Sequence, residues 1–480
     1  MKKVLIMLML IGFFYRVYGL TDNHSFWTDE NHVAIFARAI LERGKPVLAN
    51  DYSTGVYQWL QYWLSAISAK VFGLNEFGIR FPSIIFGVLT IWAVYLLGKE
   101  LFSENVGLVA ALFTVFLKIE ILWSHQARPY QALQFFYLLS VYFVYKLAKE
   151  EKFNWHYFIS FLAIGILASL MHGLGLVIFF VGFLYLLLLR FFWFKKWAGM
   201  GILITLPFGY YFWPQILAVA SGFAQANNLF YYRVFLWHNY SLLVFLGLVG
   251  FLSCIFKKRS SWQILVLFLA IQGMIASFFL TQPFVRYFYI VFPFLVLLSA
   301  VGLVEIAKII FKKHQLLPLT VLALVIIAMG HKFTLKPRRV YSLNEDMQEV
   351  PEVDWKKVYN FVGEKLNQDE DIILVTNWSD LPVWYLGEEE LDYLIRKSGK
   401  VEVKKDPVSS ATLIYSLGEF RDIIKTKKKG ILVIDSWDDR VPEGIREYCR
   451  DDLNKELEID RLYPIQPRYW PVEVYSWGLD

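Results

Sequence analysis

The chain has 480 residues, of which 57% are hydrophobic and 19% are charged, and its mean hydropathy is +0.43. These values exclude an ordinary soluble domain and indicate an α-helical polytopic membrane protein. The net charge of +6 comes from basic clusters near the ends of apolar segments, where such clusters set membrane orientation, so no nucleic-acid partner is predicted.

Apolar segments long enough to cross a membrane recur as far as residue 331. A span needs roughly 20 apolar residues. The start lacks a small-residue cleavage site, so an uncleaved first helix is predicted. The apolar run 157–189 is too long for one crossing and has basic flanks at both ends, which predicts two spans that turn at His172–Gly175. About eleven transmembrane helices follow, at 3–21, 81–101, 106–123, 129–147, 155–171, 173–190, 198–217, 238–256, 262–281, 287–306 and 315–331.

The loops between these segments differ in charge. Most lysines and arginines fall on one side, which predicts a cytoplasmic N-terminus and an extracytoplasmic C-terminus in a plasma (inner) membrane. The outer face receives the rarer charged and titratable groups, namely Asp29, Glu30, Arg80, Arg128, His172, Arg233 and Arg286.

The first of these outer groups lie after the first span, where residues 22–79 hold two amphipathic stretches. We predict interfacial helices on the outer leaflet for both. Asp29 and Glu30 stand near the start of the first. One interpretation is helix capping, with Asp29 as the N-cap and Glu30 near the positive end of the helix dipole. The other interpretation is that a carboxylate is needed there as a base.

Two later loops bring arginine and tyrosine to the same face. "WSHQARPYQAL" places Arg128 and Tyr130 at the mouth of a span, and "QPFVRYFYIVFP" does the same for Arg286 and Tyr287. Singly, such arginines are often only interfacial. Together with an acidic pair, they suit transfer of a sugar from a lipid phosphate to a hydroxyl. The carboxylate removes the proton of the attacking hydroxyl, and arginine stabilises the departing phosphate.

The composition changes again from about residue 340. An amphipathic helical pattern alternates there with apolar runs such as "DIILVT" and "GILVID", which are typical of strands. We therefore divide the chain into a transmembrane catalytic domain, 1–336, which includes the interfacial helices within 22–79, and an extracytoplasmic soluble α/β domain, 337–480.

Several segments, taken as a set, resemble the GT-C glycosyltransferases. Within that superfamily the chain is similar to the group that contains protein O-mannosyltransferases and the lipid A aminoarabinose transferases. The resemblance implies a GT-C membrane fold, a polyprenyl-phosphate-linked sugar as donor, and inversion at the anomeric carbon. The segments that carry it are "TDE" after the first span, Asn75–Phe102, Trp123–Tyr145, Leu167–Phe179 and Arg286–Leu303.

The resemblance also assigns roles to residues. It implies that Asp29 is the catalytic base and that Glu30 supports it or binds the acceptor. The residues that it places around the donor phosphate and sugar are Arg128, Tyr130, His172, Arg286 and Tyr287.

One position departs from the aminoarabinose transferases. Where those proteins carry Lys-Pro-Pro before "LQYW", this chain has "YQW", Tyr57–Trp59. The lysine that would approach the donor phosphate is missing, and Tyr57 is included among the predicted donor-binding residues. Either the two arginines serve the phosphate alone or the donor sits differently, so an aminoarabinose donor is not favoured.

The predicted function is an inverting glycosyltransferase that moves a sugar from a polyprenyl-phosphate carrier to a hydroxyl of a protein, lipid or glycan acceptor at the outer face. Two alternatives stay open: a surface-polysaccharide ligase or polymerase, and a lipid or sugar transporter without transferase activity. The transporter is less favoured because the spans show no internal repeat. Membrane lipids are further expected partners. No cofactor is predicted with certainty, and participation of a divalent cation is left open.

Overall fold

The computed structural model describes residues 2–20, 25–48, 50–56, 58–190, 227–311, 316–350, 352–397, 403–462 and 470–479. In chain order the helices are α1 (Lys2–Val17), α2 (Thr28–Arg43), α3 (Trp59–Phe72), α4 (Glu76–Leu101), α5 (Glu104–Phe116), α6 (Lys118–Ser124), α7 (Tyr130–Lys149), α8 (Trp155–Met171), α9 (Gly173–Arg190), α10 (Leu229–Val234), α11 (Tyr240–Phe256), α12 (Trp262–Phe278), α13 (Val285–Tyr289), α14 (Phe292–Phe311), α15 (Leu316–Met329), α16 (Trp355–Leu366), α17 (Asp380–Tyr385), α18 (Leu417–Thr426) and α19 (Glu443–Asp452). The strands are β1 (Ile373–Thr376), β2 (Tyr393–Ile395), β3 (Thr412–Ile414), β4 (Gly430–Asp435), β5 (Asn454–Ile459) and β6 (Val472–Trp477).

The chain forms two compact units whose segments alternate along the sequence. The first unit consists of Met1–Tyr18, Val56–Gln61 and Pro82–Tyr341. The second consists of Gly19–Gly55, Tyr62–Phe81 and Ser342–Asp480. Helix α2 and most of α3, which the sequence analysis assigned to the transmembrane domain, therefore belong to the same unit as the β-sheet.

The helices of the first unit are predominantly apolar. Within the described residues, four helical stretches are long and apolar enough to cross a membrane: α4, α9, Leu229–Phe256 and α14. Shorter apolar helices accompany them, namely α5, α8, α12 and Leu319–Met329. The segment 198–217, predicted as a span, lies outside the described residues.

Two details of these helices follow from local sequence. The segment predicted as one span at 106–123 is divided into α5 and α6, because Leu117 leaves helical geometry at φ −67° and ψ 123°. The predicted turn at His172 is present: α8 ends at Met171, and His172 is extended. The Nδ1 atom of His172 accepts a hydrogen bond from the Leu174 N–H at 3.1 Å, which holds the turn closed.

Helices α11 and α14 approach each other at glycines. A Cβ atom at Gly250 would collide with the backbone of Leu298, and one at Gly302 would collide with the backbone of Leu246. Without a driving force from water inside a membrane, such close backbone packing is a main source of helix association. These glycines therefore fix the position of α14, which follows the segment that carries Arg286.

The second unit contains a six-stranded mixed sheet with the order β3-β2-β1-β4-β6-β5. The neighbours β3-β2-β1-β4 are parallel, and β5 and β6 are antiparallel to their neighbours. Helices cover both faces, so β1 and β4 are buried along their whole length. This burial explains their continuous apolar sequences, which are typical of parallel strands covered on both sides.

Candidate functional site

Helix α2 carries the predicted catalytic pair. Its N-cap is Trp27, whose side chain makes no capping hydrogen bond, and Asp29 and Glu30 lie inside the first turn. The interpretation of Asp29 as the N-cap is therefore wrong. Both residues are helical, and successive side chains of an α-helix point in different directions. Glu30 is fully buried, whereas Asp29 is partly exposed.

Glu30 forms a buried ion pair with Arg80. The Nε of Arg80 donates to Oε1 of Glu30 at 2.8 Å, and Nη2 donates to Oε2 at 2.7 Å. Both side chains have 0% exposure. The Arg80 guanidinium also lies 4.8 Å from the ring centroid of Phe26 and donates to the carbonyl of Ser25 at 3.3 Å. A bidentate pair of this kind is strong and geometrically specific, and it fixes α2 to the start of α4.

Asp29 lies near a second carboxyl group of the same unit. Burial raises the pKa of Asp380 to about 7, and the negative charge of Asp29 acts in the same direction, whereas a backbone hydrogen bond and Arg396 act in the opposite direction. Two carboxyl groups that are close in space do not readily ionise together. Asp29 therefore belongs to an acidic environment that the sequence analysis did not predict, because Asp380 is distant along the chain.

The predicted donor-binding residues of the first unit meet at Tyr130. The guanidinium carbon of Arg128 lies 5.7 Å from the Tyr130 ring centroid, and that of Arg286 lies 6.0 Å from it. The rings of His172 and Tyr287 have centroids 5.5 Å and 6.5 Å from the same ring. We call these five residues, Arg128, Tyr130, His172, Arg286 and Tyr287, the cationic cluster.

The charges in the cationic cluster affect its histidine. Burial and the positive charges of Arg128 and Arg286 lower the pKa of His172 to about 3. His172 is therefore neutral at physiological pH. Since its Nδ1 accepts the Leu174 N–H, the proton resides on Nε2. Burial disfavours a charge of either sign, whereas the two arginines disfavour a further cation and favour an anion.

Arg128 and Arg286 are nearly buried, with 5% and 8% exposure. Aromatic faces compensate part of the cost of burial, since the Arg286 guanidinium lies 3.9 Å from the Phe284 ring centroid and 5.6 Å from that of Tyr287. Arginine is suited to bidentate recognition of phosphate, and aromatic faces hold its guanidinium plane in place.

Residues that the sequence analysis did not select support the cationic cluster. The Nε2 of Gln272 donates to the carbonyl of Tyr287 at 2.8 Å. Trp123 stacks on Tyr289 at 5.5 Å and meets the edge of Tyr130 at 5.3 Å. Gln272 could have been noticed in the sequence, because glutamine is unusual within an apolar helix, but residue spacing does not identify its partner.

A polar network lies behind Tyr289 in the first unit. The Tyr289 hydroxyl donates to Oε2 of Glu120 at 3.0 Å. The Nε2 of Gln134 donates both to Oε1 of Glu120 and to the carbonyl of Tyr289. This network fixes the last residue of α13, the short helix on which Arg286 and Tyr287 stand. Buried networks of this kind specify one arrangement when their members are satisfied.

The structure thus brings together all five residues of the cationic cluster in the first unit, and it places Asp29 and Glu30 in the second. Tyr57 lies outside the described residues. Within the ranges that the structure describes, no group of three or more His, Cys, Asp or Glu side chains is arranged to hold a metal ion. A divalent cation therefore stays a prediction without an assigned ligand set.

Comparison with known families confirms the resemblance seen in the sequence. Residues 59–213 match the family model described as dolichyl-phosphate-mannose-protein mannosyltransferase. An undecaprenyl phosphate-alpha-4-amino-4-deoxy-L-arabinose arabinosyl transferase of Pseudomonas aeruginosa is 30% identical over 102 residues, which cover 21% of this chain and 18% of that relative. An uncharacterized protein of Aquifex aeolicus is 30% identical over 161 residues, and the chain spans 31% of its length.

Solved structures share the fold over nearly the whole chain. ArnT from Cupriavidus metallidurans in the apo state has a TM-score of 0.65 at 13% identity and covers 98% of this chain and 97% of its own. The same protein bound to undecaprenyl phosphate has a TM-score of 0.62. The archaeal oligosaccharyltransferase AglB from Archaeoglobus fulgidus, in complex with an inhibitory peptide and a dolichol-phosphate, has a TM-score of 0.57 at 14% identity and covers 90% of this chain and 69% of its own.

Proposed function

We propose that this protein is an inverting glycosyltransferase of the GT-C type, which moves a sugar from a polyprenyl-phosphate carrier to a hydroxyl acceptor at the outer face of the membrane. The proposal includes about eleven membrane spans, a cytoplasmic N-terminus and an extracytoplasmic α/β domain. One observation carries it: two nearly buried arginines share the ring of one tyrosine beside a histidine that is kept neutral.

The cationic cluster is proposed to bind the donor phosphate. Two guanidinium groups near one ring repel each other unless an anion lies between or beside them. A phosphate accepts several hydrogen bonds from arginine forks, and the Nε2–H of neutral His172 offers a further donor. The fold-level match to ArnT bound to undecaprenyl phosphate supports a polyprenyl phosphate as the ligand, and the two arginines are the proposed place for its phosphate.

Asp29 is proposed to be the catalytic base. The acceptor oxygen attacks the anomeric carbon of the sugar while the bond from that carbon to the phosphate oxygen breaks. The hydroxyl proton passes to the Asp29 carboxylate, and the electron pair of the broken bond leaves with the phosphate. Attack from the side opposite the phosphate inverts the anomeric carbon. Arginine stabilises the charge that grows on the phosphate, so no general acid is needed for the leaving group.

Glu30 has a different proposed role from that of Asp29. Its two oxygens are occupied by Arg80 in a fully buried pair, so it supports α2 and does not take a proton from the acceptor. This role agrees with one of the two possibilities that the resemblance left open, and it leaves acceptor binding to other residues.

The sugar is proposed to be a neutral hexose such as mannose. The matched family model describes a mannosyltransferase, and the lysine expected near the phosphate in aminoarabinose transferases is missing at Tyr57–Trp59. The acceptor is a protein, lipid or glycan hydroxyl.

The test is consumption of a defined donor by the purified full-length protein. Undecaprenyl-phosphate-linked mannose is supplied first and the aminoarabinose-linked donor second, each with acceptor membranes or with water alone. We expect the mannose donor to release undecaprenyl phosphate, and Asp29→Asn to lower that rate by about a thousand-fold while still binding undecaprenyl phosphate. Full turnover by Asp29→Asn would overturn the role of Asp29. Absence of undecaprenyl phosphate binding by the unmodified protein would overturn the reaction class.

A further inference from the structure

Helix α17 starts close to the point at which the order of strands in the β-sheet changes direction. It follows β1 after three residues, and β1 lies between β2 and β4 in the sheet. The chain winds from β1 outwards through β2 to β3 and then returns to the other side of β1 with β4. In open α/β sheets, residues at the carboxyl ends of strands beside such a change of direction are those that serve ligand sites. Asp380 is the first residue of α17.

The carboxyl-terminal end of α17 is bonded to α2. The guanidinium of Arg38 donates to the carbonyl of Val383 at 2.9 Å and also to the carbonyl of Trp384. Its central carbon lies 4.5 Å from the Trp384 ring centroid. The last carbonyls of a helix have no hydrogen-bond donors within that helix. A guanidinium that donates to two of them therefore attaches α2 specifically to the end of α17.

The chain just before α2 is held by the carboxyl-terminal part of the protein as well. The N–H of Phe26 donates to the hydroxyl of Tyr385 at 3.0 Å. The hydroxyl of Ser25 donates to the carbonyl of Val353 at 3.0 Å and accepts the N–H of Trp355 at 2.7 Å. Residues before and after the acidic pair are therefore attached to the segment 342–480, within the same compact unit.

The charged and titratable groups around Asp380 come from several elements. Asp29 comes from α2, Arg396 follows β2, Asp406 lies in the loop before β3, and Tyr359 comes from α16. Asp29 and Asp406 disfavour a negative charge on Asp380, whereas Arg396 favours it. The electrostatic interaction between Asp29 and Asp380 therefore links α2 to the start of α17, beside the hydrogen bonds that join the two helices.

We propose that the segment 342–480 takes part in the chemical step at Asp29. Helix α17 positions α2, which carries Asp29, through Arg38. Asp380 is a positioning residue that sets the charge around the Asp29 carboxylate. This inference rests on the proposed function for the role of Asp29 as base. It gives the carboxyl-terminal segment a role in the chemical step, beyond structural support or guidance of the acceptor.

The first test needs no substrate. Asp29→Cys introduces a thiol whose rate of alkylation by iodoacetamide is measured between pH 6 and 10; Cys254 and Cys449, the other thiols, are both buried. A nearby carboxylate raises a thiol pKa, so we expect the added substitution Asp380→Asn to lower the apparent pKa by about 0.5–1 unit. Asp422→Asn is the matched control, since its side chain is 77% exposed on α18. Equal pKa values with and without Asp380→Asn would overturn the inference.

The second test uses undecaprenyl-phosphate-linked mannose. We expect Arg38→Ala to lower kcat by about ten-fold or more with little change in KM, because a displaced base affects only the chemical step. Arg38→Lys, which replaces one of two bonds, should recover part of the loss. Arg43→Ala is the matched control, because Arg43 lies on the same helix. Its side chain is 30% exposed and forms an ion pair with Glu388 at 2.8 Å. Equal effects at the two arginines would contradict a positioning role.

The two proposals fail in different ways. If Asp29→Asn keeps full turnover, the proposed base is wrong whatever Asp380→Asn does. If Asp29→Asn loses turnover but Asp380→Asn and Arg38→Ala behave like their controls, the proposed function stands and the positioning role is wrong. Loss of the pH dependence of kcat between pH 6 and 8 in Asp380→Asn, with an unfolding temperature no lower than that of the unmodified protein, is the result that supports both.

Discussion

The substitution Glu30→Gln separates a structural role of the acidic pair from a catalytic one. It leaves the Arg80 guanidinium buried at 0% exposure opposite a neutral amide. Removal of one partner of a buried pair costs about 3–5 kcal/mol, because the remaining charge is not solvated. Two short hydrogen bonds, at 2.8 Å and 2.7 Å, are weakened at once. We therefore expect a large loss of stability, which a fluorescence-detected unfolding scan of detergent-solubilised protein measures directly.

A paired replacement provides the control for that experiment. Glu30→Leu combined with Arg80→Met removes both charges and retains apolar volume, and such replacements of buried pairs are often neutral or stabilising. We expect the double variant to unfold within a few degrees of the unmodified protein and to retain undecaprenyl phosphate binding. Glu30→Gln with unchanged unfolding but absent turnover would refute this reasoning, because Glu30 would then act in the chemistry itself.

Three further results are expected. Arg128→Lys should weaken undecaprenyl phosphate binding by about ten-fold in a direct binding assay, because lysine lacks the planar fork and cannot stack on Tyr130 in the same way. Below pH 6.5 His172 becomes protonated in the unfolded chain, whereas in the folded chain it stays neutral down to its lowered pKa of about 3. The folded state therefore loses stability as the pH falls, and His172→Gln should remove about 1–2 kcal/mol of that loss at pH 5. In the folded chain Asp380 keeps its proton up to its raised pKa of about 7, whereas in the unfolded chain it loses the proton near the ordinary aspartate pKa. The folded state therefore loses stability as the pH rises between these two pKa values. Asp380→Asn should unfold at a higher temperature than the unmodified protein at pH 8.

The cationic cluster could be predicted because one simple rule placed its members. Basic loops fix which span ends share a face, and Arg128, His172 and Arg286 all fall at such ends on the less basic side. Tyr130 and Tyr287 stand in the same two loops as the arginines, and the resemblance implied a place for them around the donor phosphate and sugar. The sequence did not predict that Tyr130 lies at the centre, since its distances to four other residues depend on how α7, α8 and α13 pack.

The environment of the acidic pair could not be predicted. Nothing in the pattern around Glu30 identifies Arg80 as its partner, because the pair forms between elements 50 residues apart. Asp380 is farther still from Asp29 along the chain, and its proximity depends on a sheet whose order becomes evident only in three dimensions. The start of α2 at Thr28 also differs from the expected cap, because Asp29 lies within the helix after Trp27.

The central claim is that the cationic cluster binds a polyprenyl phosphate. The most direct measurement is mass spectrometry of the lipids that remain bound to the purified protein after addition of undecaprenyl phosphate to native membrane lipids. Arg128→Ala is compared with Arg259→Ala, whose arginine lies 3.9 Å from Glu305 and outside the cluster. We predict that the unmodified protein and Arg259→Ala retain undecaprenyl phosphate and that Arg128→Ala loses it. Equal retention by all three proteins, or recovery of bulk phospholipid alone, would contradict the claim.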